Sequence, residues 1–150
     1  MRPKIQQAIL GGFAGTALMT LMLYTVAPMM GVHMDIAASL GQMMGGSWFL
    51  GLMMHFVNGS IIFPLIFALT LYPRLPGGPL TKGMTFGAAL WLVAQLMVMP
   101  IMGGGFFSAK MGGMMAAAAS LTNHLIYGGM LGWIASPKSG SAQLRQAKAA

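Results

Sequence analysis

Four long apolar runs, separated by short stretches rich in Gly, Pro and charge, set the plan of this chain. They cover about residues 5–30, 47–72, 83–102 and 114–135. A helix crossing the roughly 30 Å hydrocarbon layer needs about 20 predominantly apolar residues, so the pattern predicts four spanning α-helices. Between the first two runs Asp35 stands where an N-cap residue would, ahead of a short helix over 36–44 lying in the interface. Pro28 is placed to end or bend the first span, and Pro64 to kink the second. Trp48 and Tyr72 flank the second run as interfacial aromatic anchors do. Residues 73–82 are dense in turn formers, and a glycine-rich loop occupies 103–113.

Composition agrees with the pattern. Hydrophobic residues make up 57% of the 150 and charged residues 6%, against about 25% charged in a soluble domain. The chain reads as an all-α integral membrane protein. Its basic start followed by an apolar run resembles a signal peptide, but the run is too long for one and no small-x-small site follows, so it reads as a retained anchor.

The formal charge of +7 does not point to nucleic acid, because the basic residues are few and sit at the ends of the apolar runs. Arg2, Lys4, Arg74, Lys82, Lys138, Arg145 and Lys148 fall on one side, and Lys110 alone on the other. The positive-inside rule then places both termini and the central loop in the cytoplasm of an inner-membrane protein. Residues 136–150 form a polar, basic tail expected to be disordered.

Shifting the sequence by 72 residues exposes a repeat. Gly11 falls on Gly83, Gly15 on Gly87, Ala17 on Ala89, Val26 on Val98, Pro28 on Pro100 and Gly31 on Gly103. A shift of 69 puts His55 on His124 and Gly59 on Gly128. The span domain, 1–135, therefore reads as a four-helix bundle of two tandem hairpins, about 8–72 and 80–135. Hairpins of two spans enter the membrane in the same sense, so an axis along the membrane normal relates them. It sets the two histidines at one depth, on the order of 12–15 Å below the outer surface at 1.5 Å per residue.

His55 and His124 each stand between small residues one helical turn away, Gly51 and Gly59 for the first, Ser120 and Gly128 for the second. Ionisable residues at membrane depth are rare and costly. Three readings of the pair stay open. Neutral histidines can hydrogen-bond between helices and need no cofactor. Alternatively, His55 and His124 bind haem b as its two axial ligands, with Gly51, Gly59, Ser120 and Gly128 letting the flat ring lie close and Lys110 pairing with a propionate. Thirdly, imidazole with thioether suits Cu(I), and 13 of the 18 methionines fall in outer halves or outer loops, among them Met34, Met53, Met54, Met99 and Met102. His33, alone in an outer loop, reads as solvated. Asn58, Gln95 and Asn123 read as interhelical hydrogen-bonding groups.

The absences narrow the chemistry. With no cysteine, disulfides, iron–sulfur ligation and thiolate metal sites are excluded. Asp35 is the one acidic residue, so paired-carboxylate catalysis and carboxylate proton relays lack their groups. An enzyme in its own right is not expected. The expected role is a small membrane subunit, binding haem b and passing electrons or accompanying a larger redox or respiratory complex. The alternatives are a cofactor-free structural or assembly subunit and a copper-handling membrane protein. Expected partners are membrane lipid and a larger membrane complex or further copies of the chain.

The Gly-rich first span, Trp48 with His55-Phe56, Leu71-Tyr72-Pro73 with Leu75-Pro76-Gly77-Gly78, and His124-Leu125-Ile126-Tyr127-Gly128 together resemble small bacterial inner-membrane proteins catalogued as domains of unknown function. The resemblance covers about residues 8–135; it implies a four-span fold and supplies no activity. At the level of architecture alone the chain is similar to four-helix b-type cytochrome subunits.

Overall fold

A computed structural model describes residues 3–136; the expected basic tail beyond them lies outside the described residues. Among these, the chain forms five helices and no strand. They are α1 (Ile5–Met29), α2 (Ile36–Gln42), α3 (Trp48–Leu71), α4 (Pro79–Ile101) and α5 (Gly113–Ile134). One 3-10 turn, Phe106–Ser108, lies in the loop before α5. Helices α1, α3 and α4 are long and apolar enough to cross a membrane. Helix α5 has 22 residues, but Ser120, Thr122, Asn123 and His124 make it less apolar.

The helix ends follow local chemistry. Asp35 caps α2 by accepting the Ala38 N–H at 2.9 Å, and Ser47 caps α3 through the Leu50 N–H at 3.3 Å. Helix α4 starts at Pro79, four residues before the expected Gly83, because proline's fixed φ and missing N–H suit the first helical position. Helix α1 ends one residue past Pro28; Gly31 at φ 75° turns the chain out, and the Val32 N–H returns to the Ala27 carbonyl.

Inside α3 and α4 the prolines widen the helix where a kink was expected at Pro64. π turns occupy Asn58–Ile62, Phe67–Leu71 and Ala94–Val98, each ending two residues before a proline: Pro64, Pro73 and Pro100. In each case the residue before the proline donates its N–H five residues back. A proline ring clashes with the carbonyl four residues behind it and offers no N–H; widening by one residue relieves the clash.

Helix α5 packs against α1 and α4, α3 packs against α1, and α3 and α4 approach each other mainly beside the central loop. The contacts with α5 are backbone to backbone. A Cβ added at Gly83 would collide with the Gly128 carbonyl, and one at Gly87 with the His124 carbonyl. Gly11 and Gly15 of α1 face Leu131 and Tyr127 at a somewhat looser approach. Small residues permit this approach where lipid supplies no hydrophobic drive between helices.

The half of the bundle nearer the central loop is filled by Ala8, Phe67, Ala68, Phe86, Tyr127, Leu131 and Ala135. Tyr72 belongs to this core at 5% exposure, which corrects its reading as an interfacial anchor. Its ring meets Phe67 edge-on at 5.5 Å, and Lys82 lies over it while donating to its carbonyl. The half beyond, away from the central loop, is hollow.

Candidate functional site

The hollow is a partly open cavity of about 230 Å³ lined by α1, α3, α4 and α5 and roofed by α2 and the residues before it. His55 and His124 both line it. The remaining wall is mostly aliphatic and thioether, with Thr16, Asn58, Gln95, Ser120 and Tyr127 as its polar members. No acidic side chain reaches it.

The two rings are held differently. Thr20 Oγ1 donates to the Thr16 carbonyl at 2.7 Å and stands 3.0 Å from His55 Nε2. With its one proton spent, the hydroxyl can only accept, so His55 carries its proton on Nε2 and leaves Nδ1 unprotonated. His124 Nδ1 lies 2.7 Å from the Ser120 carbonyl oxygen, one turn back on its own helix. A carbonyl only accepts, so His124 carries its proton on Nδ1 and leaves Nε2 unprotonated. A histidine with one ring nitrogen tied to the protein and the other carrying a lone pair is prepared for a metal.

The widened turns place the other polar residues. Asn58 and Gln95 each lie in a π turn and face the cavity. In the first, the Gly59 carbonyl is the one residue 64 would satisfy, but Pro64 has no N–H. Tyr127 Oη fills that role, donating to it at 2.7 Å across the bundle. Gln95 spans from Ser108 to Ser120, at 3.0 and 3.3 Å.

The small residues beside the histidines have other neighbours than the cavity. A Cβ at Gly51 would collide with the backbone of α2 at Ala37 and Gly41; one at Gly59 would meet Thr16; one at Gly128 would meet Gly83. These three glycines admit neighbouring helices, and Gly59 lines the cavity as well. Ser120 does face the cavity. Of the outer methionines, Met34, Met99 and Met102 line the cavity, joined by Met19, while Met29, Met30, Met43, Met44, Met53, Met97, Met114 and Met115 are exposed on the outside of the bundle. His33 and Lys110 are exposed in their loops. Among the described residues no three histidine or acidic side chains converge as a metal cluster.

The roof is tied down by the one acidic residue. Asp35 accepts from Tyr24 Oη at 2.5 Å and from Trp48 Nε1 at 3.0 Å, besides capping α2. Desolvation opposes its charge, but hydrogen bonds from Tyr24, the Ala38 amide and Trp48 outweigh it and hold the carboxyl below its ordinary value.

A family model matches residues 2–145. The chain belongs to the family of unknown function DUF6789. Nothing among the curated proteins and nothing among the solved structures matches it. The features that DUF6789 membership leaves to be read from this chain include several that its sequence did not announce. Thr20 and Tyr127 reach their partners from other helices, and Ser108 is carried in by a loop. Only the prolines signalled in advance where backbone carbonyls would need such partners.

Proposed function

We propose that this chain is a four-span inner-membrane protein with both termini cytoplasmic, α5 being the fourth span. We further propose that its outer-half cavity holds one metal-centred group between His55 and His124. The observation that carries this reading is the pair of tied imidazoles, each with one unprotonated nitrogen, on the wall of one apolar cavity. The two hairpins deliver one histidine each, as the repeat would have them do. With haem b as the group, the protein would serve electron transfer within a larger redox complex. It brings no nucleophile–base pair of its own, so chemistry on a substrate would belong to its partners.

A specific observation favours a second group. Met19, Met34, Met99 and Met102 share the wall with both imidazoles, a donor set that suits Cu(I). The size of the cavity points the same way. A cavity of about 150 Å³ holds benzene, so 230 Å³ corresponds to one or two rings or to an ion with its ligands. A porphyrin would need α3 and α4 to part along the side where they touch least. The packing of Gly51, Gly59 and Gly128 supports the third reading, a cofactor-free structural subunit.

The test is a reduced-minus-oxidised visible spectrum of the purified protein, with metal analysis of the same sample. A Soret band with sharp α and β bands, absent in His55→Ala and in His124→Ala, identifies haem. A colourless protein with one copper per chain, lost in the same variants, identifies Cu(I). A colourless, metal-free protein from haem- and copper-replete cells overturns the proposal in favour of the structural subunit.

A further inference from the structure

At the end of α4 two thioethers meet that the cavity wall alone does not account for. Gly103, at φ 80°, closes the helix. Its N–H returns to the Pro100 carbonyl at 3.0 Å, and that of Gly104 to the Met99 carbonyl at 2.8 Å, the paired bonds of a Schellman end. The Gly104 carbonyl then accepts the Lys110 N–H at 2.9 Å, which folds the loop back over the helix it has just left. Met111 follows next in the chain. A Cβ added at Gly104 would lie 2.7 Å from the Met99 methyl carbon and 2.8 Å from the Met111 sulfur. The absence of a side chain at Gly104 thus leaves a slot filled by two thioether ends, one from the helix and one from the loop.

The two reach different surroundings. Met99 is 5% exposed and lines the cavity. Met111 is only partly buried, in the loop between α4 and α5 and outside the cavity wall. A bare cation enters apolar surroundings at high cost, so an ion bound between the imidazoles has to arrive by exchange from ligand to ligand. Thioethers suit Cu(I), and the three rotatable bonds of methionine let its sulfur swing between neighbouring positions. One thioether toward the surface and one on the wall, side by side, supply the two steps of such an exchange.

We propose that Met111 and Met99 form an entry path for Cu(I) into the His55–His124 cavity, Met111 as the receiving ligand and Met99 as the one that hands the ion inward. This rests on the Cu(I) form of the reading above. The transfer exchanges one ligand for another and leaves the copper in a single oxidation state.

The test follows Cu(I) uptake by the purified full chain in nanodiscs, read as the loss of colour from a water-soluble Cu(I)–bicinchoninate complex mixed with it. Met111→Leu, which nearly keeps the side-chain volume and removes the sulfur, should slow uptake by about tenfold or more and leave the final amount bound unchanged. Met99→Leu should slow it as much and lower that amount as well. Met97→Leu, which removes an exposed thioether elsewhere on α4, should do neither. Uptake by Met111→Leu at the wild-type rate overturns the path and leaves the Cu(I) site standing. No uptake by the wild type defeats the Cu(I) site and the path with it. Should Met111→Leu fail to fold, the wild type labelled with ¹³C-methyl methionine decides. On titration with Ag(I), a redox-inert mimic of Cu(I), the Met111 and Met99 methyl signals should shift together; a Met111 signal that stays in place while Met99 moves overturns the path.

Discussion

His55 and His124 face one cavity, but His55 is oriented by a neighbouring helix and His124 by its own. The Thr20 hydroxyl that fixes His55 comes from α1, so the ring is set only once α1 and α3 have docked. The carbonyl that fixes His124 is four residues back in α5, and it is in place as soon as that helix forms. The helices carrying them differ in the same sense. Helix α5 is seated through glycine on backbone, at Gly83, Gly87 and Gly128. Helix α3 meets α2 through backbone at Gly51, but against α1 and α5 it is seated largely through side chains, with Thr16 and Pro64 filling the α1 contact beside Gly12 and Tyr127 reaching across to Gly59. The second hairpin presents a prepared ligand on a rigid seat. The first presents one that depends on tertiary contacts, and it is the more adjustable of the two.

The largest effect that could break this contrast is steric. Gly83→Leu or Gly128→Leu would drive a side chain into facing backbone, which cannot yield, and should cost about 3 kcal/mol or more. Gly59→Leu meets the Thr16 side chain rather than facing backbone and should cost less. Thermal unfolding in detergent ranks them, and equal losses at the two sites would erase the difference in seating. Next is Tyr127→Phe, which orphans the Gly59 carbonyl inside the bundle and should cost about 1 kcal/mol; a neutral result would mean that carbonyl finds another donor.

Thr20→Val probes the imidazoles directly. It should release the His55 ring and scramble its tautomer with less than about 1 kcal/mol of stability lost, while His124 keeps Nδ1–H. Histidine ¹⁵N spectra separate the two, and a change at His124 would show that the rings are not independently held. A smaller effect lies in the roof. The Asp35 carboxyl is held below its ordinary value, so its contribution is full above the unfolded value of about 3.9 and fades as the pH falls through the lower folded one. The Trp48 indole N–H signal should therefore shift on acidification below that range and already be shifted at neutral pH in Asp35→Asn. The smallest effect belongs to Ser60, whose buried hydroxyl has no partner. Ser60→Ala should be neutral or stabilising, within about 1 kcal/mol.

Some of this is legible in the chain itself. Run lengths located α1 to α5 to within a few residues, because apolar runs bounded by Gly, Pro and charge leave a helix few places to end. Asp35 was readable as a cap because capping is local. The glycines beside the histidines were harder. Their spacing says that something lies close, and only the three-dimensional arrangement says that Gly51 receives α2, Gly59 receives α1 and Gly128 receives α4. Prolines 64, 73 and 100 announced a disturbance, yet a kink and a π turn look alike in sequence. Ser108 gave no signal at all, since its role depends on a backbone conformation that serine rarely adopts. A count of methionines misleads: most of those near the cavity's end of the bundle turn away from it, and neighbours in sequence such as Met53 and His55 do not share a direction on a helix.

The measurement closest to the central claim is the metal content per chain of three purified proteins: wild type, His55→Ala and His124→Ala, each shown to be folded. If the two imidazoles hold one group between them, the wild type carries close to one equivalent of iron or copper, and each variant loses most of it, with His124→Ala losing the more. A metal-free wild type from replete cells, or a variant that keeps its full equivalent without one of the two rings, would contradict the account.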